Sequence, residues 1–328
     1  MKIALLGIKS SVMDEGAKNV ATNLATALSR HNDLLMCHQR EALSLTYIRK
    51  LRRFNPDLVV TVHGPSPKTV LLLFMLKLLC RKTKSVIIAT QPGENRWLPL
   101  ILRIFRPDLM FSQSNKWRKI FARQGITTEM LSNGVDTDKF KPATDPSAID
   151  EVRNTLDLTD ERPVALHIGP VNHNRNLELL VKLQNSGAWQ VVVIGSTTAP
   201  FQTDMSRMLK NNGLIIKTEY FPDISLVYAL ADVYIFPVMD RSGSIEIPLT
   251  VLEAMACNRP VATYPFRGLP DFIVESESMR YFNDYKELTT ILPGIMDGDG
   301  NRKAAMKFSW DNIASEFCNQ ASTQLGIK

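Results

Sequence analysis

Short runs of aliphatic and β-branched residues recur along this chain, each closed by glycine, proline, serine or another turn residue. This recurrence constrains the fold more than any other feature. Lys2–Gly7, Leu58–His63, Ser85–Thr90 and Leu109–Ser112 are such runs in the first half. Val164–Ile168, Val191–Ile194, Val233–Phe236 and Val261–Tyr264 are their counterparts in the second. Runs this apolar are predicted as strands buried on both faces, as in parallel sheets. Segments with apolar residues at helical spacing lie between them: Val20, Leu24, Ala27 and Leu28 between Ala17 and Ser29, then Leu177–Leu183 and Ile224–Ala231. Strand–helix alternation of this kind predicts parallel sheets with helices on both faces. A chain of 328 residues is long for one core. The pattern also occurs twice, so the expected fold class is α/β, two doubly wound domains. Ligands of such sheets sit beyond the C-terminal strand ends, which places the site in a cleft between the domains.

Charge separates the two halves. Residues 1–150 hold 23 Lys and Arg against 12 Asp and Glu, whereas residues 151–328 hold 16 against 21. The first half is the one expected to meet an anionic partner. Its basic residues lack interleaved aromatics or a nucleic-acid module, so an anionic membrane or lipid-phosphate surface is preferred and nucleic acid is not expected. Val70–Cys80 (VLLLFMLKLLC) is the most apolar run, too short to span a bilayer and interrupted by Lys77. A core helix is the preferred reading over an interfacial one. The four cysteines are scattered without metal-ligand spacing, which favours a reducing compartment. The apolar stretch after Met1 reads as a first strand rather than a signal peptide. Location in the cytoplasm, peripheral at the inner membrane face, is the expectation.

Ser242–Tyr264 (SGSIEIPLTVLEAMACNRPVATY) carries the chemistry. Ser242, Gly243 and Ser244 form a small loop whose N–H groups can approach a phosphate. It runs into a buried helix, Leu249–Ala256, whose N-terminus favours an anion. Glu253 is the one carboxylate inside that helix. A charge among apolar residues costs free energy unless it is paired or functional, so Glu253 either caps a neighbouring loop or binds a sugar or ribose hydroxyl. The first loop, Ile8–Gly16, lacks the GxGxxG spacing of dinucleotide sites. Asp136 with Asp138, and Asp297 with Asp299, match short metal-binding patterns, but so short a pattern matches by chance and no metal is expected.

These residues also resemble a known family. "NPDLVVTVHG", "LSNGVDTDKFKP", "ALHIGP" followed by Arg175-Asn176, "YALADVYIFP" and above all "IPLTVLEAMACNRPVATY" occur in the order and spacing of GT-B glycosyltransferases of the family 4 (group 1) type. "FSWDNIASEF" resembles that family's last helix. The resemblance implies two Rossmann-like domains facing a central cleft. Residues 1–150 would bind the acceptor, residues 151–305 the nucleotide-sugar, and residues 306–328 would form a helix crossing back to the first domain. It implies a retaining, metal-independent transfer from a UDP- or GDP-sugar to a glycan or lipid-linked acceptor, with no cofactor.

Site residues follow by position in the resemblance. Glu253 would accept hydrogen bonds from the ribose, and Arg175 would hold the diphosphate together with Gly169, Gly243 and Ser244. Gly16 would let the first loop approach the donor phosphate, and His63 and Gln91 would line the acceptor cleft. The chain departs from the pattern where Ile245 replaces the family's first Glu, leaving Glu246 to meet the donor sugar one position late. Pro170 stands where an Arg is usual, and Gln91 where a His is usual. A nucleotide-sugar-binding module with impaired turnover is therefore the alternative, and a UDP-sugar epimerase ranks behind both.

Overall fold

In the computed structural model, residues 1–7, 16–80, 82–93, 95, 97–158, 160–196, 202–219, 221–239, 245–296 and 300–327 are described. The chain divides into two compact units, Met1–Gly134 with Ser244–Ile247 and Trp310–Lys328, and Val135–Gly243 with Pro248–Ser309. The first runs β1 (Lys2–Gly7), α1 (Gly16–Leu28), β2 (Asp33–His38), α2 (Leu45–Phe54), β3 (Leu58–Val62), α3 (Pro67–Leu79), β4 (Lys84–Ala89), α4 (Leu98–Ile104), β5 (Leu109–Ser112), α5 (Asn115–Arg123) and β6 (Thr128–Met130). The second runs α6 (Pro146–Thr155), β7 (Val164–Ile168), α7 (Glu178–Asn185), β8 (Gln190–Ile194), α8 (Thr203–Asn211), β9 (Ile215–Lys217), α9 (Ile224–Leu230) and β10 (Val233–Phe236). It continues through α10 (Leu249–Ala256), β11 (Val261–Thr263), α11 (Leu269–Phe272), β12 (Met279–Tyr281), α12 (Tyr285–Ile295) and α13 (Asn301–Ala305), before α14 (Trp310–Leu325) returns to the first unit.

Each unit holds a six-stranded, all-parallel sheet. The first has the order β2-β1-β3-β4-β5-β6 and the second β12-β11-β10-β7-β8-β9. Both orders reverse direction once, between β1 and β3 and between β7 and β10. Those reversals leave a crevice at the C-terminal strand ends where helices diverge to opposite faces, the place doubly wound sheets bind ligands. β3, β7 and β8 are buried along almost their whole length, as strands covered on both faces must be. The fold is the expected α/β class.

Local signals set the helices. Ser66 accepts the N–H of Thr69 at 3.2 Å and Pro67 opens α3, while Asn55 in the left-handed region closes α2. Ala143–Ser147 reads as a linker from its composition, yet Asp145 accepts the N–H of Ser147 at 2.9 Å and caps α6. An Asp before Pro is a helix start as well as a loop signal. α14 packs on α1 and β5, with Phe317 and Phe111 ring centroids 5.1 Å apart and an Arg30–Asp311 ion pair.

Trp310, at the head of α14, lies against Gly134. A Cβ at Gly134 would meet the indole at 2.5 Å, and the ring is buried. Gly134→Ala is therefore expected to destabilise the protein by about 1–3 kcal/mol, the usual range for overpacking. A thermal melt equal to that of the wild type would show that Trp310 repacks freely.

Candidate functional site

The crevice of the second sheet opens where β7 and β10 part. β7 ends at Gly169, whose N–H donates to the Ile194 carbonyl at 2.9 Å. A side chain at Gly169 would approach His167 Nε2 to 3.2 Å, so only glycine leaves both the turn and the imidazole in place. A single helical turn then carries Arg175, and Asn176 follows in the left-handed region at φ 53°. Asn176 Nδ2 donates to the Pro237 carbonyl at 3.0 Å, tying the loop after β7 to the end of β10.

Arg175 is thereby fixed at the mouth of the crevice. Its Nε is buried without a hydrogen-bond partner, and no carboxylate among the described residues pairs with it. Burial pulls its pKa down, although a guanidinium stays charged. A partly buried cation without a counter-ion carries an unfavourable desolvation term that an anion would relieve.

Behind Arg175 lies a layer of polar aromatic residues. His167 is fully buried, its Nδ1 3.0 Å from the Ile235 carbonyl and its Nε2 unpartnered; burial pushes its pKa to about 4 and keeps it neutral. Tyr234 stacks beside it and donates to Thr250 Oγ1 at 2.7 Å. Tyr228 donates to Glu253 Oε2 at 2.7 Å. α10 fixes Glu253 by burying Val251, Leu252, Ala254 and Met255 around it. Burial lifts the Glu253 pKa to about 7, against the hydrogen bond from Tyr228 and the charge of Lys139, which both lower it. Pro248, the N-cap of α10, makes no side-chain cap, so among the described residues no N-cap side chain satisfies the first-turn N–H groups.

Arg175, Gly169 and Glu253 are thus set around β7, β10 and α10 of one unit. Gly243 and Ser244 lie outside the described residues. Gly16 begins α1, and the rest of its loop, residues 8–15, is likewise outside the described residues. Glu246 groups with the first unit: it is buried, and its N–H donates to the Thr90 carbonyl at 2.8 Å. In the same unit Asn133 Nδ2 donates to the Ile247 carbonyl at 2.7 Å, and Gln113 Nε2 donates to Asn133 Oδ1 at 2.5 Å. Gln91 follows β4 directly after Thr90.

His63 follows β3 directly, one residue beyond where the strand stops, on the same edge of the first sheet as Gln91. It holds φ at 151°, a conformation side chains rarely adopt, with its N–H on the Ile88 carbonyl at 3.2 Å. Its buried Nδ1 has no partner, and burial lowers its pKa. Asp136 Oδ1 accepts the N–H groups of Asp138 and Lys139 at 3.1 and 3.0 Å, closing a turn; Asp297 and Asp299 lie outside the described residues. No group of three or more potential metal ligands occurs among the described residues.

Residues 162–292 match the model of the family described as glycosyl transferases group 1. The whole chain superposes on a glycosyltransferase from Rickettsia africae with a TM-score of 0.80 at 13% identity, covering 100% of both chains. It superposes on Anabaena HepE in complex with UDP with a TM-score of 0.74 at 16% identity, covering 98% of this chain and 100% of the other. The fold is GT-B, and residues 162–292 are similar to the group 1 glycosyl transferases. A sulfoquinovosyl transferase of Arabidopsis thaliana is 24% identical over 85% of this chain and 59% of its own length. A GDP-mannose-dependent phosphatidylinositol monomannoside mannosyltransferase of Corynebacterium glutamicum is 27% identical over 59% of this chain and 55% of its own. The chain thus spans somewhat more than half the length of these curated relatives.

The matched segment of the GT-B chain contains Gly169, Arg175 and Glu253 together with the aromatic layer behind them. His167, Tyr228, Tyr234 and Thr250 do not stand out from the sequence. For the two tyrosines the one signal is their place in largely apolar runs, Ile224–Leu230 and Val233–Phe236.

Proposed function

We propose that this protein is a retaining glycosyltransferase that moves a sugar from a UDP- or GDP-linked donor to a glycan or lipid-linked acceptor. The observation that carries the proposal is Arg175, a half-buried guanidinium at the crevice of a GT-B sheet with its Nε unpartnered. The donor's diphosphate supplies the missing charge, with the N–H groups at the start of α10 as further donors. Glu253 accepts from the ribose hydroxyls through the oxygen that Tyr228 leaves free. Glu246 meets the donor sugar, and His63 and Gln91 line the acceptor side. Gly16, Gly243 and Ser244 are proposed as close-approach positions along the phosphates.

In the reaction, the bond between the anomeric carbon and the β-phosphate oxygen breaks as an acceptor hydroxyl oxygen bonds to that carbon. The acceptor proton passes to the departing phosphate. Charge accumulates on the diphosphate, so Arg175 acts most strongly at the transition state. No cofactor or metal enters this account. Relatives named for GDP-mannose and solved structures holding UDP or UDP-glucose support both bases as donors.

The test is thermal stabilisation by UDP, GDP, ADP and their sugar conjugates on wild type and Glu253→Ala. At 100 times its dissociation constant a ligand adds ~2.7 kcal/mol. The expected result is a shift with one base family that is lost in the variant. No shift with any nucleotide would overturn the proposal.

A further inference from the structure

The outward faces of α3 and α4 take no part in donor chemistry, yet both are apolar. α3 buries Val70, Leu73 and Leu76, as a core helix should. Its opposite stripe, Leu71, Met75 and Leu78, is exposed at positions i, i+4 and i+7. Leu78 is 62% exposed. α4 repeats the pattern: Leu98 and Leu102 are buried, while Trp97, Leu100 and Ile104 are 54%, 51% and 60% exposed. A helix lying against water carries polar residues on that side. Here the preferred core reading of Val70–Cys80 accounts for one face only.

The two stripes form one surface. Phe74 and Phe105 pack with ring centroids 4.7 Å apart, and Leu78 and Ile104 line a shared groove of about 900 Å³. The groove opens at the N-terminal ends of β4 and β5, the sheet edge opposite His63 and Gln91. Its charged lining is cationic: Lys77, Arg103 and Arg106. Lys77 is committed to Asp108 at 2.7 Å, but exposed Arg103 and Arg106 have no ion-pair partner among the described residues. Residues 58–107 hold eight Lys and Arg against a single Glu. No helix among the described residues is long and apolar enough to cross a membrane.

We propose that this face docks on an anionic phospholipid bilayer, with Leu78, Trp97 and Ile104 in the headgroup–acyl boundary and Arg103 and Arg106 on the lipid phosphates. A bilayer surface presents apolar depth and negative charge in one plane, the two properties this face combines. Apolar side chains in these positions do nothing for a nucleic acid or a soluble polyanion. The proposal is independent of the transferase reading, since neither Arg175 nor Glu253 enters it.

Flotation with vesicles of phosphatidylglycerol in phosphatidylcholine tests it, against vesicles of phosphatidylcholine alone. Wild type is expected to float with the anionic vesicles, and the pair Leu78→Glu with Ile104→Glu to stay behind. Arg103→Gln and Arg106→Gln should each weaken binding about fivefold, less at high salt. Exposed substitutions of this kind leave the fold intact, which an unchanged melting curve verifies. As a second measurement, emission from Trp97 should shift to the blue on binding and the shift should vanish in Trp97→Phe, because Trp117, Trp189 and Trp310 are buried. Absence of flotation, equal flotation with neutral vesicles, or flotation unaffected by the Leu78/Ile104 pair overturns the proposal. So does a dimer in solution that the same pair dissolves, which would assign the face to a second copy.

Discussion

Arg175→Gln is expected to lower kcat/KM for the nucleotide-sugar by ~10²–10³-fold, the loss seen when one donor to a developing oxyanion is removed. The same variant is expected to melt no lower than the wild type. These two outcomes belong together. A structural arginine would be paired, and removing it would strand a buried carboxylate at a large cost in stability. Arg175 has no such partner among the described residues; its Nε is orphaned and burial already disfavours its charge. Removing it relieves the free protein and harms only the state in which a diphosphate fills the crevice. Arg175→Lys separates charge from geometry, because an ammonium keeps the charge and loses the planar fork. It should recover part of the lost rate. A melt lowered by several kcal/mol together with unchanged donor kinetics would show that Arg175 serves the fold. The Pro at position 170, where an Arg is usual in the resembled family, makes the demand on Arg175 heavier, since fewer cations share the diphosphate.

The fold was legible in this sequence because its carriers are local. A run such as Val191–Ile194, apolar on both faces, can only lie inside a covered sheet, and glycine or proline at strand ends marks where the chain leaves it. Glu253 stood out for a similar reason, as a carboxylate in an apolar helix that has to be paired or functional, and the structure pairs it with Tyr228. What the sequence left open depends on neighbours far along the chain. Tyr228 looks like any core aromatic until α10 places Glu253 2.7 Å from its hydroxyl. Residues 245–247 sit between two elements of the second unit in sequence but group with the first, through the carbonyls of Thr90 and Ile247. Bonds that use the main chain of residues 245–247 carry no signature in their side chains. α3 shows the limit of periodicity itself: a helix apolar on every side gives no stripe, so burial of one half and exposure of the other are decided by packing alone.

The carboxylate of Glu253 is expected to make donor binding and stability respond to pH in opposite directions. Its pKa is raised from 4.5 to about 7, chiefly by burial. Below 4.5 it is protonated in both folded and unfolded chains. As pH rises from 4.5 through about 7, the unfolded chain releases this proton while the folded one retains it, so folding stability falls across that window. A shift of this size corresponds to on the order of 3 kcal/mol. Glu253→Gln keeps an oxygen for Tyr228 but cannot ionise, so its stability advantage over wild type should grow from nothing to that order as pH rises through the window. Donor binding should run the other way. The ionised carboxylate has a full acceptor for the ribose hydroxyls, and hydrogen bonds to a charged group contribute about 1.5–3 kcal/mol. Affinity of the wild type is therefore expected to rise ~10-fold as pH passes through about 7, and that of Glu253→Gln to stay flat. A nucleotide-sugar is the right ligand for this measurement, because its diphosphate carries a substituent at both ends and does not itself titrate near neutrality. Calorimetric titration and thermal melts on the same two proteins read both slopes. Parallel slopes, or a wild-type affinity independent of pH, would mean that Glu253 does not touch the donor and holds only Tyr228 in place.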